Sequence, residues 1–286
     1  MAKIGLVLEG GGSRGIYTAG VLDVFLENDI AVDGVIGVSA GAIHGCSYVS
    51  KQIGRSIGYA MKYSRDPRYM SLRSLLKTGD YVGVEFCYHE LPEKLYPFDN
   101  DTFEASPIDF YVTCTDVESG QAVYQKCPSV RGNDIDWVRA SASLPLFSRI
   151  VEIEGQKLLD GGIADSIPLK AFEKLGFERN IVILTRIAGY QKKPTSSMPL
   201  LRRSLKAYPK FLQTAQNRHN IYNQEVAYTE KEEREGNVCL IRPSEYLKVG
   251  RLERKPEKLQ EMYELGRKDA LAKLAEVKRF VEESKK

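Results

Sequence analysis

Three short stretches of this 286-residue chain carry residue types that can do chemistry. Gly37-Val38-Ser39-Ala40-Gly41 sets a serine between small residues, where the apolar run Gly34–Val38 gives way to a helical pattern over 40–48. A serine in such a strand-to-helix turn stands on a strained backbone at a helix N-terminus, whose partial positive charge favours an alkoxide. The bland alternative is a tight turn with Ser39 as an N-cap. Gly10-Gly11-Gly12-Ser13-Arg14-Gly15 follows a second apolar run, Ile4–Leu8. Consecutive glycines can turn several backbone N–H groups toward one point, a cradle for a phosphate or for the oxyanion of a tetrahedral intermediate. Asp160-Gly161-Gly162 ends a third strand-like run, where a carboxylate can reach across a sheet edge; taken alone it is an ordinary Asp-Gly turn.

The rest of the sequence discriminates between mechanisms. Only His44, His89 and His219 are available as imidazole bases. Ser39, Asp160 and His219 satisfy the chain order of an α/β-hydrolase triad, but that fold places more strands before its nucleophile, and His219 lies in a helical stretch. A Ser–Asp pair needs no histidine. Gly10, Gly12 and Gly15 also fit the spacing of a nucleotide-binding loop, so a nucleotide- or phosphate-binding module is the alternative from another class. Against it, no acidic residue ends the second strand and no Gly-Lys-Ser/Thr follows.

These residues need elements to hold them. Strand patterns at 4–8, 34–38, 110–115, 122–125, 150–153, 157–159, 181–185 and 238–241 alternate with helical periodicity at 14–27, 40–48 and 135–142. That alternation predicts an α/β fold with a mainly parallel sheet. The segment 65–109 lacks a clear period and reads as an inserted lid or wall. Apolar content of 43% is enough for a sizeable core, and a net charge of +3 calls for no nucleic-acid partner. Five scattered cysteines without a Cys-x-x-Cys pair predict reduced, buried thiols in a cytoplasmic protein and no zinc site.

Taken in order, the glycine run with its basic residue, the Gly-x-Ser-x-Gly after the second strand and the downstream Asp-Gly-Gly resemble patatin-like phospholipases. Ala140-Ser141-Ala142-Ser143-Leu144-Pro145 adds to the resemblance, which covers residues 4–190. It implies a three-layer α/β/α fold around a mainly parallel central sheet. It also implies hydrolysis of lipid carboxylic esters through an acyl-enzyme, without metal or cofactor, on a lipid or lysophospholipid substrate. Residue by residue it assigns Ser39 as nucleophile, Asp160 as base, and Gly37 and Gly41 as the small residues of the elbow. Gly11 and Gly12 become oxyanion donors, with Gly10 and Arg14 completing that loop. Two departures stand out: Phe147-Ser148-Arg149 where members often carry Phe-Pro-Pro, and Ser166 before Ile167-Pro168 where many carry Asn before Pro.

After residue 190 the composition shifts. Residues 190–211 hold six basic and no acidic residues, interleaved with Met198, Leu200, Leu201, Leu205, Tyr208 and Phe211. Two readings stand: a patch that meets a membrane surface from the cytoplasmic side, or a solvated basic stretch whose apolar residues pack on the core. The chain closes on an amphipathic helix with Pro256 near its start. The expected organisation is a catalytic core over 1–190 and a mainly helical extension over 191–286 packed on it.

Overall fold

The computed structural model describes residues 2–284. In chain order the elements are β1 (Ile4–Leu8), α1 (Ile16–Glu27), β2 (Gly34–Val38), α2 (Ala40–Val49), α3 (Arg55–Tyr63), α4 (Leu72–Thr78), a wide-turned helix over Phe86–Leu95, and α5 (Asn100–Glu104). Then come β3 (Asp109–Asp116), β4 (Ala122–Lys126), α6 (Ile135–Ser141), β5 (Val151–Ile153), β6 (Gln156–Asp160), α7 (Leu169–Lys174) and β7 (Arg179–Ile183). The chain finishes with α8 (Met198–Ser204), α9 (Pro209–Glu235), β8 (Val238–Ile241) and α10 (Pro256–Ser284). The expected helix over 14–27 begins two residues late: Arg14 and Gly15 close a 3-10 turn, Gly12–Gly15, that opens at Gly12 with a φ of 56° and leads into α1.

The sheet is mixed and mostly parallel. Its parallel core runs β3-β2-β1-β7-β8, with β4, β6 and β5 added antiparallel. The central parallel strands β1 and β2 are buried along their whole length, as helices on both sides require, whereas β4 and β5 carry exposed polar residues. Leu6, Leu8, Ile181, Ile183, Cys239 and Ile241 point to one layer, with α1, α2, α3, α6 and α10. Val7, Val182, Val238 and Leu240 point to the other, with α7 and α9. The fold is α/β in three layers, as the sequence predicts. The segment beyond residue 190 is mostly helical and also supplies the edge strand β8.

The last helix covers α1. A Cβ on Gly266 would collide with the backbone oxygen of Tyr17, and one on Gly20 with that of Tyr263, so the two helices touch backbone to backbone. Polar pairs flank the crossing: Tyr17 donates to Asp269 at 3.0 Å, Tyr263 to Asp23 at 2.8 Å, and Arg267 forms a two-bond fork with Glu27. The basic stretch over 190–211 is mainly folded inward. Leu201 and Phe211 are buried, and Met198, Leu205 and Tyr208 pack against the same cluster, which leaves Leu200 exposed. The cysteines are all unpaired, four of them buried and Cys87 half-buried.

Candidate active site

Ser39 sits between β2 and α2 at φ 54° and ψ −120°, a left-handed conformation that costs a non-glycine residue about 1–3 kcal/mol. The turn is tight enough to need glycine on both sides. A Cβ on Gly37 would stand 2.5 Å from Cα of Ala42, and one on Gly41 would strike the carbonyl of Leu8. Ser141, from the Ala-Ser-Ala segment, pins the elbow. Its hydroxyl accepts from the Ser39 N–H at 2.8 Å and donates to the Thr113 carbonyl of β3 at 2.6 Å.

Asp160 reaches the same place through the sheet register. On β3, Thr113 is flanked by Val38 of β2 and Tyr124 of β4, while Cys114 is flanked by Val123 of β4 and Asp160 of β6. A residue within a sheet has one neighbour on each edge. With β4 on one edge, β2 and β6 must therefore follow one another along the other. The chain leaves the sheet at Ser39, and β6 runs in antiparallel to fill the vacated edge, ending at Asp160. The rows of Val38 and Asp160 are adjacent, a step of about 3.3 Å along β3. Asp160 is buried and oriented: its Oδ1 accepts from the Gly162 N–H at 2.8 Å, its carbonyl accepts from Thr115, and its N–H donates to the Ser143 carbonyl. Among the described residues Oδ2 has no hydrogen-bond donor.

The glycine run lies against the elbow. A Cβ on Gly10 would stand 3.0 Å from the Val38 oxygen and 3.2 Å from Cβ of Ser39. Beyond Gly10, the N–H groups of Gly11 and Gly12 find no backbone acceptor among the described residues, whereas that of Ser13 donates to the Arg251 carbonyl at 2.9 Å. Buried Glu9 ties the loop to β7 by accepting from the N–H of Thr185 at 2.5 Å and from its hydroxyl at 3.1 Å. The Arg14 side chain is buried, with its Nε unpartnered. Burial first, then the neighbouring charge of Arg186, lower its pKa to about 10. Lys192 is brought down to about 7 by burial and then by Arg218. Arg218 donates to the carbonyl of Gly162; its pKa is lowered by burial and by Arg251, with Asp160 pulling the other way. None of Arg14, Arg186, Lys192, Arg218 and Arg251 joins an ion pair among the described residues. Around the Gly-Gly-Gly and Asp-Gly-Gly loops these cations are interleaved with the carboxylates of Glu9, Asp160 and Glu225.

Ser39 and Gly12 open onto a cavity of about 420 Å³. Asp160, Gly10, Gly11 and Arg14 do not line it. Its walls are mostly apolar, among them Ile43, Tyr59, Met70, Leu91 and Val138. The segment over 65–109, aperiodic in sequence, builds one side through Tyr69, Met70, Val82, Tyr88 and Leu91. His44 lines the cavity, with Nδ1 2.9 Å from the Ser56 hydroxyl, and burial pushes its pKa down to about 4, so it is a neutral imidazole. His219 lies on α9, its Nδ1 3.2 Å from the Gln216 carbonyl, and takes no part in the cavity. Arg218, Arg251 and the tethering role of Ser141 were not singled out from the sequence. All three act across 56 or more residues, and no local pattern marks such contacts.

The fold and this site define an α/β/α protein with a strained elbow serine, an incoming aspartate and an apolar cavity. The family model described as patatin-like phospholipase matches residues 6–173, more than half of the chain, and the chain belongs to that family. Family membership favours the lipid-hydrolase reading over the nucleotide-binding one. A second model, described as a domain of unknown function (DUF6363), matches residues 208–282. The uncharacterized protein YjjU of Escherichia coli is 32% identical over 189 residues, which cover 64% of this chain and 52% of that protein. Lysophospholipase nte1 of Emericella nidulans is 32% identical over 176 residues, 60% of this chain and 11% of that protein. The chain thus spans about half of one relative and about a tenth of the other. Among solved structures, VipD of Legionella pneumophila aligns with a TM-score of 0.48 at 11% identity, over 99% of this chain and 67% of that one.

Proposed function

We propose that the protein is a serine acyl hydrolase that cleaves lipid carboxylic esters, of the phospholipase A or lysophospholipase type, with Ser39 as nucleophile and Asp160 as its direct base. The head-on meeting of β2 and β6 along one edge of β3 carries this reading. Ser39 Oγ attacks the ester carbonyl carbon while Asp160 takes its proton. The oxyanion rests on the N–H groups of Gly11 and Gly12, each worth about 3 kcal/mol in the transition state. Gly10 holds the loop against the elbow, and Arg14 adds positive charge behind it. Collapse breaks the bond to the alcohol, which leaves with the proton from Asp160, and the acyl group stays on Ser39. Water then attacks the acyl-enzyme and gives its proton to Asp160, which returns it to Ser39 as the fatty acid departs. The Gly162 N–H fixes one carboxylate oxygen and leaves the other for the proton.

The apolar cavity suits a fatty acyl chain, and relatives named lysophospholipase support a lipid substrate. In this reading residues 1–190 carry the chemistry, and 191–286 complete its surroundings through Arg218 and Arg251. Five unpaired cysteines suit work in the cytoplasm. A fluorophosphonate probe tests the reading: one adduct is expected, on Ser39, and a folded protein that takes no label overturns it.

A further inference from the structure

The α4 segment is a projection that the protein interior does not use. None of its seven residues is buried, and Leu72 and Leu76, four apart on one face, are 67% and 88% exposed. A helix this short does not persist in water by itself. It is held by its ends: the Ser71 hydroxyl accepts from the Ser74 N–H at 3.0 Å, and Gly79 closes it in the left-handed region. Below it the chain is clamped at a neck, where Met70 bridges Val82, the Ser71 N–H donates to Tyr81, and the Gly83 N–H donates to Tyr69. Three of these neck residues, Tyr69, Met70 and Val82, line the cavity that holds Ser39.

The exposed apolar surface continues beyond α4. Phe147 packs edge-on against Tyr81 at 6.0 Å and accepts from its N–H at 2.7 Å. The Arg149 N–H donates to Asp80. Arg149 and Leu146 share a recess with Leu200, itself exposed. Asp80 and Tyr81, just past the end of α4, thus join that projection to Phe147 and Arg149, and Arg149 in turn borders the recess with Leu200. Charge stands on the same projection: Arg73 and Lys77 lie on α4 itself, with Asp80 as the acidic residue just past its end. Among the described residues Arg73, Lys77, Arg149, Arg202 and Arg203 form no ion pair.

We propose that this projection seats the enzyme on a lipid bilayer bearing anionic head groups, with Leu72 and Leu76 inserted and Arg73 and Lys77 at head-group level. Exposed leucines between unpaired cations match the two layers of such a surface, apolar beneath and anionic above. A protein partner would need a shaped, partly polar face, whereas a bilayer needs only this mixture. The inference rests on the lipid-hydrolase reading. A lipid drawn out at the projection would pass the neck residues that form the cavity wall.

The test uses the full chain with vesicles of phosphatidylcholine, alone or mixed with phosphatidylglycerol. Wild type is expected to co-sediment with the mixed vesicles and to be released by salt. Leu72→Asp/Leu76→Asp should lower that partitioning by about 100-fold or more. Arg73→Glu/Lys77→Glu should abolish the preference for phosphatidylglycerol. Both variants should hydrolyse soluble p-nitrophenyl butyrate at the wild-type rate, which also reports that they fold. Wild-type binding by the leucine variant overturns the proposal. So does a wild type that ignores both vesicles, or a leucine variant that loses only self-association, since the projection would then hold a second copy of the chain. A wild type that binds vesicles but does not turn over the soluble ester sinks the hydrolase reading and leaves the docking surface standing.

Discussion

The backbone at Ser39 is strained and its amide is already engaged by Ser141, so the side chain is the only free polar group the residue offers. Ser39→Ala should leave the fold intact and reduce ester hydrolysis to background. Asp160→Asn keeps the shape but cannot take a proton, and should lower kcat by at least about 1000-fold. His219→Ala should be active, because that ring lies outside the cavity. Assays of p-nitrophenyl ester hydrolysis on the three variants decide this, and an active Asp160→Asn would remove the dyad. His44 makes a separate prediction. Its folded pKa of about 4 lies below the ordinary 6.5, so between those values the unfolded chain binds a proton that the folded chain does not. Its contribution is whole above pH 6.5 and drains as pH falls toward 4, by roughly 3 kcal/mol. Urea midpoints from pH 7.5 to 4.5 should fall less in His44→Asn than in wild type. Ser39, the glycines and Asp160 were legible because each is marked by its immediate neighbours. Arg218 was not, since its meaning comes from Gly162, which α9 meets only in the folded chain.

At the scale of elements, close approach decides what is tolerated. The α1–α10 crossing has no room for side chains at Gly20 and Gly266. Gly266→Val would force the helices apart or strain them, and should cost about 1–3 kcal/mol, read as a lower urea midpoint with ester hydrolysis retained below the transition. A variant as stable as wild type would show that the crossing is looser than described. Every strand was predicted within two residues of its observed ends, because runs such as Ile4–Leu8 and Val238–Ile241 are buried on both faces and short. The wall over 65–109 resisted such reading. Its helices are brief, Pro92 interrupts one of them, and α4 buries nothing, so no period is imprinted on the sequence. The edge-filling by β6 was equally hidden: it depends on register against β3, which no single segment encodes.

For the whole molecule, the sheet and the charged surroundings of the site draw on both ends of the chain. β1 and β2 carry the glycine loop and the elbow, yet β8, the Arg218 guanidinium, the Arg251 carbonyl and the cover on α1 all come after residue 208. A chain cut after residue 208 should therefore expose the edge of β7 and the face of α1, and fail to react with a fluorophosphonate. Labelling of the truncated chain at the wild-type rate would show that the first part is self-sufficient. The order of synthesis gives this arrangement a consequence in time. At bacterial or eukaryotic elongation rates, tens of seconds separate the emergence of the elbow from that of α10. If Ser39 is the nucleophile, a chain still on the ribosome carries it through that interval without β8, Arg218, Arg251 or α10, so hydrolysis should appear only after these have emerged and folded.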